Sequence, residues 1–410
     1  MVKRRKDSKN RVLKTGESER KNGGYQYRWE TRDGKRHYIY SMSLRSLRTR
    51  EKEIIRDVDD GIQTNNLNLT LNDLYKVWCS VKKGLKQNTF NNYQYMYNHF
   101  VKESFGKRRV RTLHKTDIKR FYNHLIDDGG LKVNTVGTIH LVLHQVLQLA
   151  VDDDILRKNV SDNGLEDLKK IRGLRGTKRK ALTISQQNLF LSFIKNSAEY
   201  NHWYPTFAVM LGTGLRVGEL TGLRWQDVDF ENNLINVTHT LVFNDRSKAQ
   251  QTGFEINTPK TEAGYRSVPI IKSVREALDA QKEYLMKNNL RSIDMIDGFR
   301  DFIFINRFGH VQHQGTLNKA IKRIIRDANF AALENDPSID KDKLLPNFSC
   351  HTLRHTFTTR LIESGMNIKV IQEALGHSDI RTTLNIYADV TKELKQQQFA
   401  SFEDFIAENC

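Results

Sequence analysis

His351-Thr352-Leu353-Arg354-His355-Thr356-Phe357-Thr358-Thr359-Arg360-Leu361, read with Leu375-Gly376-His377 and Tyr387 further on, decides the fold of this chain. Leu353, Phe357 and Leu361 recur at helical spacing, which predicts a helix with those three residues buried. His351 and Arg354 are three apart and project together from such a helix. His355 lies four residues after His351, a spacing at which two histidines can grip a metal. No glutamate stands between them, however, and Arg354 would place a positive charge beside any cation. Coulomb repulsion therefore favours an anion site over a metal site. His355 itself reads as a structural histidine bonded to nearby backbone.

Downstream, Ile371–Leu375 continues as a helix that Gly376 is placed to end. His377 then sits just past the end, free to point at a site, and Ser378 or Asp379 can cap the next helix. Tyr387 follows ten residues after His377. Among fourteen tyrosines it takes its meaning from what precedes it. Upstream lies Gly212-Thr213-Gly214-Leu215-Arg216-Val217-Gly218-Glu219-Leu220. Phe207, Val209, Met210 and Leu211 predict a buried helix that the glycines end, with a new helix beginning near Leu215. Arg216 is expected in its first turn, where backbone N–H groups also face an anion. Glu219, three residues on, can orient that guanidinium. Between these boxes, Glu262-Ala263-Gly264 predicts a hairpin turn, with Lys260 on the entering strand and Val268 and Ile270 on the leaving one. A lysine at a hairpin tip can reach a DNA groove and donate a proton, although a solvated loop lysine is the commoner case.

In this order and with these gaps, the boxes resemble the tyrosine recombinase (phage-integrase) family over most of residues 182–390. The resemblance implies a site-specific DNA recombinase that exchanges strands of a mobile element through a 3′-phosphotyrosyl intermediate. It implies Tyr387 as nucleophile, Arg216 and Arg354 as hydrogen-bond donors to the non-bridging oxygens, and Lys260 as general acid. His351 would assist tyrosine deprotonation or hold the phosphate. His377 would donate a further hydrogen bond, and Glu219 would position Arg216 or His351. Arginines take the charge role, so neither a metal nor another cofactor is expected. The implied partners are double-stranded DNA, at core and arm sites of the element ends, and further copies of the chain, in a tetramer on DNA. An accessory excision protein is a further candidate. Three other readings carry less: a type IB topoisomerase, a non-catalytic DNA-binding regulator and a metal-dependent nuclease.

The rest of the chain fits that expectation. The net charge is +18, and residues 1–50 hold sixteen Lys/Arg against five Asp/Glu, which suits a polyanionic partner. No apolar run reaches the ~18 residues a membrane span needs. The start, MVKRRKDSKNRVLK, has no apolar region of a secretory signal. Cys79, Cys350 and Cys410 are too scattered for a disulfide framework or zinc site, so a reducing, cytoplasmic location (bacterial and nucleoid-associated, by the resemblance) is expected.

The expected fold class is multidomain, mainly α with small β-sheets. Residues 1–68 would form a small sheet-plus-helix arm-binding domain, in which 1–20 read as a mobile arm. Tyr25–Glu30 and His37–Tyr40 alternate as strands around an Asp33-Gly34 turn, and residues 47–62 look helical. Arg28, Arg32, Lys35 and Arg36 are candidate DNA contacts. This start looks most like the integrases of conjugative transposons. Residues 69–164 would form a helical core-binding domain with helices over 71–83, 88–104, 115–128 and 133–152. Lys82, Lys83, Lys86, Arg108 and Arg109 at its turns suit backbone phosphates. Phe90, Tyr93, Tyr95, Tyr97 and Phe100 read as core. Residues 165–181 read as a linker, 182–392 as a mixed α/β catalytic domain, and 393–410 as a C-terminal helix. In that helix Phe399, Phe402, Phe405 and Ile406 share one face, which either folds back or docks on a neighbouring protomer. The role of the long stretch Ala331–Phe348 is open.

Overall fold

The computed structural model describes residues 5–31, 34–64, 68–172, 180–243, 253–259 and 261–387, together with Phe399 and Ile406. The chain divides into two compact units, Met1–Gly176 and Thr177–Cys410.

The first unit begins with an antiparallel sheet in the order β1 (Glu17–Glu19), β2 (Tyr25–Glu30), β3 (Arg36–Ser41). Helix α1 (Leu44–Asp59) packs on one face of it. Alternation explains the arrangement: Tyr25, Tyr27 and Trp29 turn inward onto Leu44, Leu47 and Ile54, and Arg28 turns outward. The expected mobile arm is corrected from Arg5 onward. Asp7 is buried and holds Arg11 through its side chain at 2.7 Å. Glu17 is buried in β1 and takes Arg48 of α1 at 2.8 and 2.9 Å. Polar pairs of this kind leave no apolar periodicity to read, because only Leu13 is apolar and buried there.

Helices α2 (Leu71–Val81), α3 (Gln87–Phe100), α4 (Lys115–Asp127) and α5 (Val133–Asp152) follow the expected spans closely and enclose a second core. Thr70 caps α2, exchanging hydrogen bonds with Asp73. Tyr97 lies flat on Tyr75 within that core, whereas Tyr95 is exposed and stacks on His99 instead. The stretch read as a linker starts later than its charge suggests. Glu166–Arg172 forms α6, and Leu165 and Leu168 are buried in the same core. The sheet domain is tied to this bundle through Asp57 of α1, which pairs with Arg111 and Arg157.

The second unit is mixed. Its helices are α7 (Ile184–Asn196), α8 (Tyr204–Thr213) and α9 (Val217–Thr221), then α10 (Lys272–Lys287), α11 (Gln314–Asn335), α12 (Cys350–Glu363), α13 (Ile368–Leu375) and α14 (Ile380–Tyr387). Between α9 and α10 come β4 (Val228–Asp229), β5 (Leu234–Val237), β6 (Thr240–Phe243), β7 (Phe254–Asn257) and β8 (Arg266–Pro269). The expected hairpin is not formed by its two flanking strands: β7 pairs with β6, and β8 pairs with β5 in a separate sheet. Glu262–Gly264 is a single 3-10 turn that carries the chain from one sheet to the other. The long stretch before α12 is pinned down. Asn329 of α11 exchanges two hydrogen bonds with Leu345, at 2.9 and 2.8 Å, and Gln186 holds the carbonyls of Asp342 and Leu344.

Candidate active site

The nearly all-apolar helix α8 is buried and ends at Gly214, whose φ is +62°. A side chain there would be strained, and its Cβ would lie 2.3 Å from the Phe357 ring of α12. The close approach brings the two boxes together: the Gly214 carbonyl accepts from Arg354 Nη1 at 2.6 Å. Arg216 is the N-cap of α9 rather than a residue of its first turn. Its backbone N–H donates to Glu219 Oε2 at 2.8 Å and its Nη1 to Glu219 Oε1 at 2.8 Å.

The C-terminal end of α13 organises what surrounds this pair. The last carbonyls of a helix lack partners along the chain, and the helix dipole gives them excess negative charge. Here three consecutive carbonyls each accept from a different arginine. Ala374 takes Arg266 Nε at 2.8 Å, Leu375 takes Arg354 Nη2 at 2.6 Å, and Gly376 takes Arg216 Nη2 at 3.1 Å. Gly376, at φ +63°, closes the helix as the sequence led one to expect. A Cβ on it would lie 2.6 Å from the Ala263 carbonyl and 3.1 Å from Arg266 Nη1. Gly376→Ala is therefore expected to cost about 1–3 kcal/mol, seen as a lowered urea midpoint, and to slow catalysis by displacing the three guanidinium groups.

His377 follows directly. Its Nε2 faces Arg354 Nη2 at 3.0 Å, and its Nδ1 faces Thr383 Oγ1 of α14 at 2.9 Å. An arginine N–H can only donate, so Nε2 accepts and the ring proton sits on Nδ1, donating to Thr383. Burial first, then the arginines and His351, push the His377 pKa down to about 4. The ring is thus neutral at pH 7. Because the folded value lies below the ordinary 6.5, its contribution to stability is intact above pH 6.5 and is lost as pH falls towards 4. Urea midpoints measured from pH 7 to pH 4.5 are expected to fall, and to fall less in His377→Asn.

Arg354 is almost wholly buried, and among the described residues its side chain bonds to two carbonyls and His377 and to no carboxylate. Burial, and after it Arg216, lowers its pKa to about 9, which still leaves it charged at neutral pH. A buried cation whose hydrogen bonds go to neutral groups, with Glu219 acting on it only through its charge, suits an anion. For Glu219, burial alone would raise the pKa. Arg266 and then Arg216 override it and hold the carboxyl at about 2. Arg216 itself remains half-exposed, so its guanidinium is accessible from solvent.

The structure thus brings Arg216, Glu219, Arg354 and His377 together. His351 is exposed in the first turn of α12. Tyr387 is the last residue of α14, one turn after Thr383; its side chain and the whole of Lys260 lie outside the described residues. Arg266 is the site residue missed by sequence reasoning, since an arginine beyond a turn carries no signal of burial. Among the described residues, no group of three or more His, Cys, Asp or Glu could hold a metal ion, and no helix is long and apolar enough to cross a membrane.

In the first unit, Arg28 and Arg36 are exposed on the sheet and Lys35 just before β3, and Arg32 lies outside the described residues. Lys83, Lys86, Arg108 and Arg109 are exposed at turns of the bundle; Lys82 rests its ammonium over the Trp78 ring, and Arg108 pairs with Asp117. Phe399 is exposed, while Phe402 and Phe405 lie outside the described residues.

Residues 180–393 match the phage integrase family, residues 1–58 the DNA-binding domain of Tn916 integrase, and residues 70–126 the N-terminal SAM-like domain of phage integrases. The transposase from transposon Tn1545 of Streptococcus agalactiae is 32% identical over 404 residues, 95% of each chain. The transposase from transposon Tn916 of Enterococcus faecalis is 31% identical over the same share of each. Among solved structures, the Tn1549 transposon integrase in complex with transposon right end DNA aligns with a TM-score of 0.69 and 28% identity. That alignment covers 81% of this chain and 99% of that one. The chain belongs to the phage integrase family. It is a tyrosine recombinase of the conjugative-transposon type, an enzyme of site-specific DNA recombination.

Proposed function

We propose that Arg216, Lys260, His351, Arg354, His377 and Tyr387 carry the strand cleavage and rejoining of this recombinase. The observation that carries the assignment is the pair Arg216 and Arg354, gathered at the end of α13, with Arg354 buried and hydrogen-bonded to no carboxylate among the described residues. A phosphodiester seated there gains charge on its non-bridging oxygens as phosphorus becomes five-coordinate, and two forked cations stabilise that charge. The Tyr387 oxygen attacks phosphorus, and the bond to the 5′-oxygen breaks. That oxygen takes its proton from Lys260, leaving a 3′-phosphotyrosyl link and a free 5′-hydroxyl. Attack by the 5′-hydroxyl of a second strand reverses the step, so joining needs no nucleotide cofactor. His351 takes up or holds the tyrosine proton. His377, neutral with Nε2 facing Arg354 and its proton on Nδ1, donates to the phosphate from Nε2 on taking a second proton, which the phosphate's negative charge favours.

The other assignments follow the same reading. Residues 1–68 are the arm-type DNA-binding domain, with Arg28, Arg32, Lys35 and Arg36 against the duplex. Residues 69–164 bind the core site through Lys82, Lys83, Lys86, Arg108 and Arg109. Residues 165–172 complete that bundle as α6, and 173–181 connect it to the catalytic domain 182–392. The tail 393–410 docks through Phe399, Phe402 and Phe405 on a neighbouring copy in a tetramer on DNA. The solved complexes of Tn1549 integrase with right end and circular intermediate DNA support double-stranded element ends as the substrate. An accessory excision protein completes the proposed partners, and the bacterial cytoplasm, at the nucleoid, is the proposed location.

The test is covalent capture in EDTA on a nicked duplex spanning the junction of the mobile element. A denaturation-resistant protein–DNA adduct is expected at an undiminished rate in chelator. Loss of the adduct on chelation, with restoration by a divalent ion, would contradict arginine-based charge stabilisation.

A further inference from the structure

We infer that Arg266 is a positioning residue for strand cleavage: it fixes the Glu219 carboxylate and the end of α13 so that Arg216 is aimed at the scissile phosphate. The inference rests on the reading of Arg216 given above.

Arg266 lies at the start of β8 with its side chain only 5% exposed and each of its three guanidinium nitrogens bonded to a protein acceptor, two of them to a carboxylate, so it acts through other groups. Its Nη1 and Nη2 meet Glu219 Oε1 and Oε2 at 3.1 and 2.8 Å, and its Nε meets the Ala374 carbonyl at 2.8 Å. Nη1 also lies 3.4 Å from the Gly264 carbonyl, which ties in the turn before β8. One side chain thus spans the α9 box, the turn and the last residues before His377.

Glu219 shows why this matters for aim. A carboxylate offers about four lone-pair directions. Here Oε1 accepts from Arg216 Nη1 and Arg266 Nη1, and Oε2 from the Arg216 backbone N–H and Arg266 Nη2. Every direction is used, and the two oxygens are held from opposite partners. With Arg266 removed, Glu219 keeps only the Arg216 bonds and can swing with it. The charged groups facing Glu219 are Arg216 at the start of α9, Arg266 from β8 and Arg354 from α12; His377, after α13, feels the same three arginines and His351 of α12. Deleting one of the two direct partners leaves a buried carboxylate short of compensating charge, so it takes up a proton at higher pH and loosens its hold on Arg216. Lysine is not a substitute: its single ammonium cannot grip both carboxylate oxygens and the helix carbonyl together.

The test compares full-length wild type, Arg266→Gln, Arg266→Lys and Glu219→Gln/Arg266→Gln by rate of covalent capture on the nicked element-end duplex, from pH 5 to pH 8. Affinity for the same duplex and thermal melting are measured alongside. Expected are near-normal affinity, capture slowed about ten- to a thousandfold, and a new loss of rate at low pH. That new limb should be largest in Arg266→Gln, smaller in Arg266→Lys, which keeps a charge but not the two-pronged grip, and absent from the double variant. Wild-type rate and pH profile in a variant that binds DNA normally would overturn the proposal. So would a slowing in which the acid limb never appears, or unfolding of both single variants, since each would mark Arg266 as a folding residue only. Failure of wild type itself to form an adduct would instead strike the nucleophile assignment, so the two failures are distinguishable.

Discussion

Tyr387→Phe is expected to bind the element-end duplex as wild type does and to form no covalent adduct, a fall in capture rate of at least about ten-thousandfold. Phenylalanine keeps the ring but lacks the oxygen that, in the proposed mechanism, forms the new bond to phosphorus. Affinity is set by many contacts between phosphates and basic groups, for which a chain of net charge +18 is well supplied. Removing one phenolic oxygen leaves those contacts in place. Even if the arginine site still polarised the phosphate, attack by water would yield a nick and no protein link. Filter binding at several salt concentrations, beside denaturing gels of the capture reaction, separates the two effects. Equal loss of binding and capture would mean that Tyr387 acts in recognition instead.

Arg354→Ala is expected to slow capture about a hundred- to a thousandfold, the scale of removing one donor aimed at developing charge. It should also lower stability by about 1–3 kcal/mol, because the Gly214 and Leu375 carbonyls lose their partner in the interior. Arg354→Lys should recover part of the stability and little of the rate, since one ammonium cannot span both carbonyls and still present a fork to phosphate. Arg216→Ala provides the contrast. That side chain is 44% exposed, so the same loss of rate should come with little loss of stability. Urea melts read against single-turnover capture rates decide between the two patterns. A similar stability loss at both positions would mean that the site is a structural knot rather than an open anion site.

Much of this arrangement could be read before any coordinates, and the reason differs from place to place. Helices α2 to α5 announce themselves because their apolar faces repeat at helical spacing and Thr70-Asp73 caps the first. The Arg216–Glu219 pair and the glycine stop at Gly376 are local, within one helical turn of each other or of their element, so spacing alone predicts them. What escaped reading is non-local or polar. Arg266 meets Glu219 forty-seven residues away, and its burial depends on α13 arriving overhead. Glu17 and Asp7 order the first residues through ion pairs that no hydropathy pattern records. The turn at Glu262–Gly264 looked like a hairpin because turn residues fix the bend but not the partners of the strands on either side. Leu165 and Leu168 belong to the bundle core despite the charge around them.

A covalent link between Tyr387 and DNA, as proposed, can be located directly. Wild type is captured on the nicked element-end duplex, the DNA is trimmed with nuclease, and the tryptic peptides are sequenced by mass spectrometry. One modified peptide is expected, with a nucleotide joined through its 3′-phosphate to Tyr387. A nucleotide on any other residue, or a 5′-phosphate linkage, would contradict it.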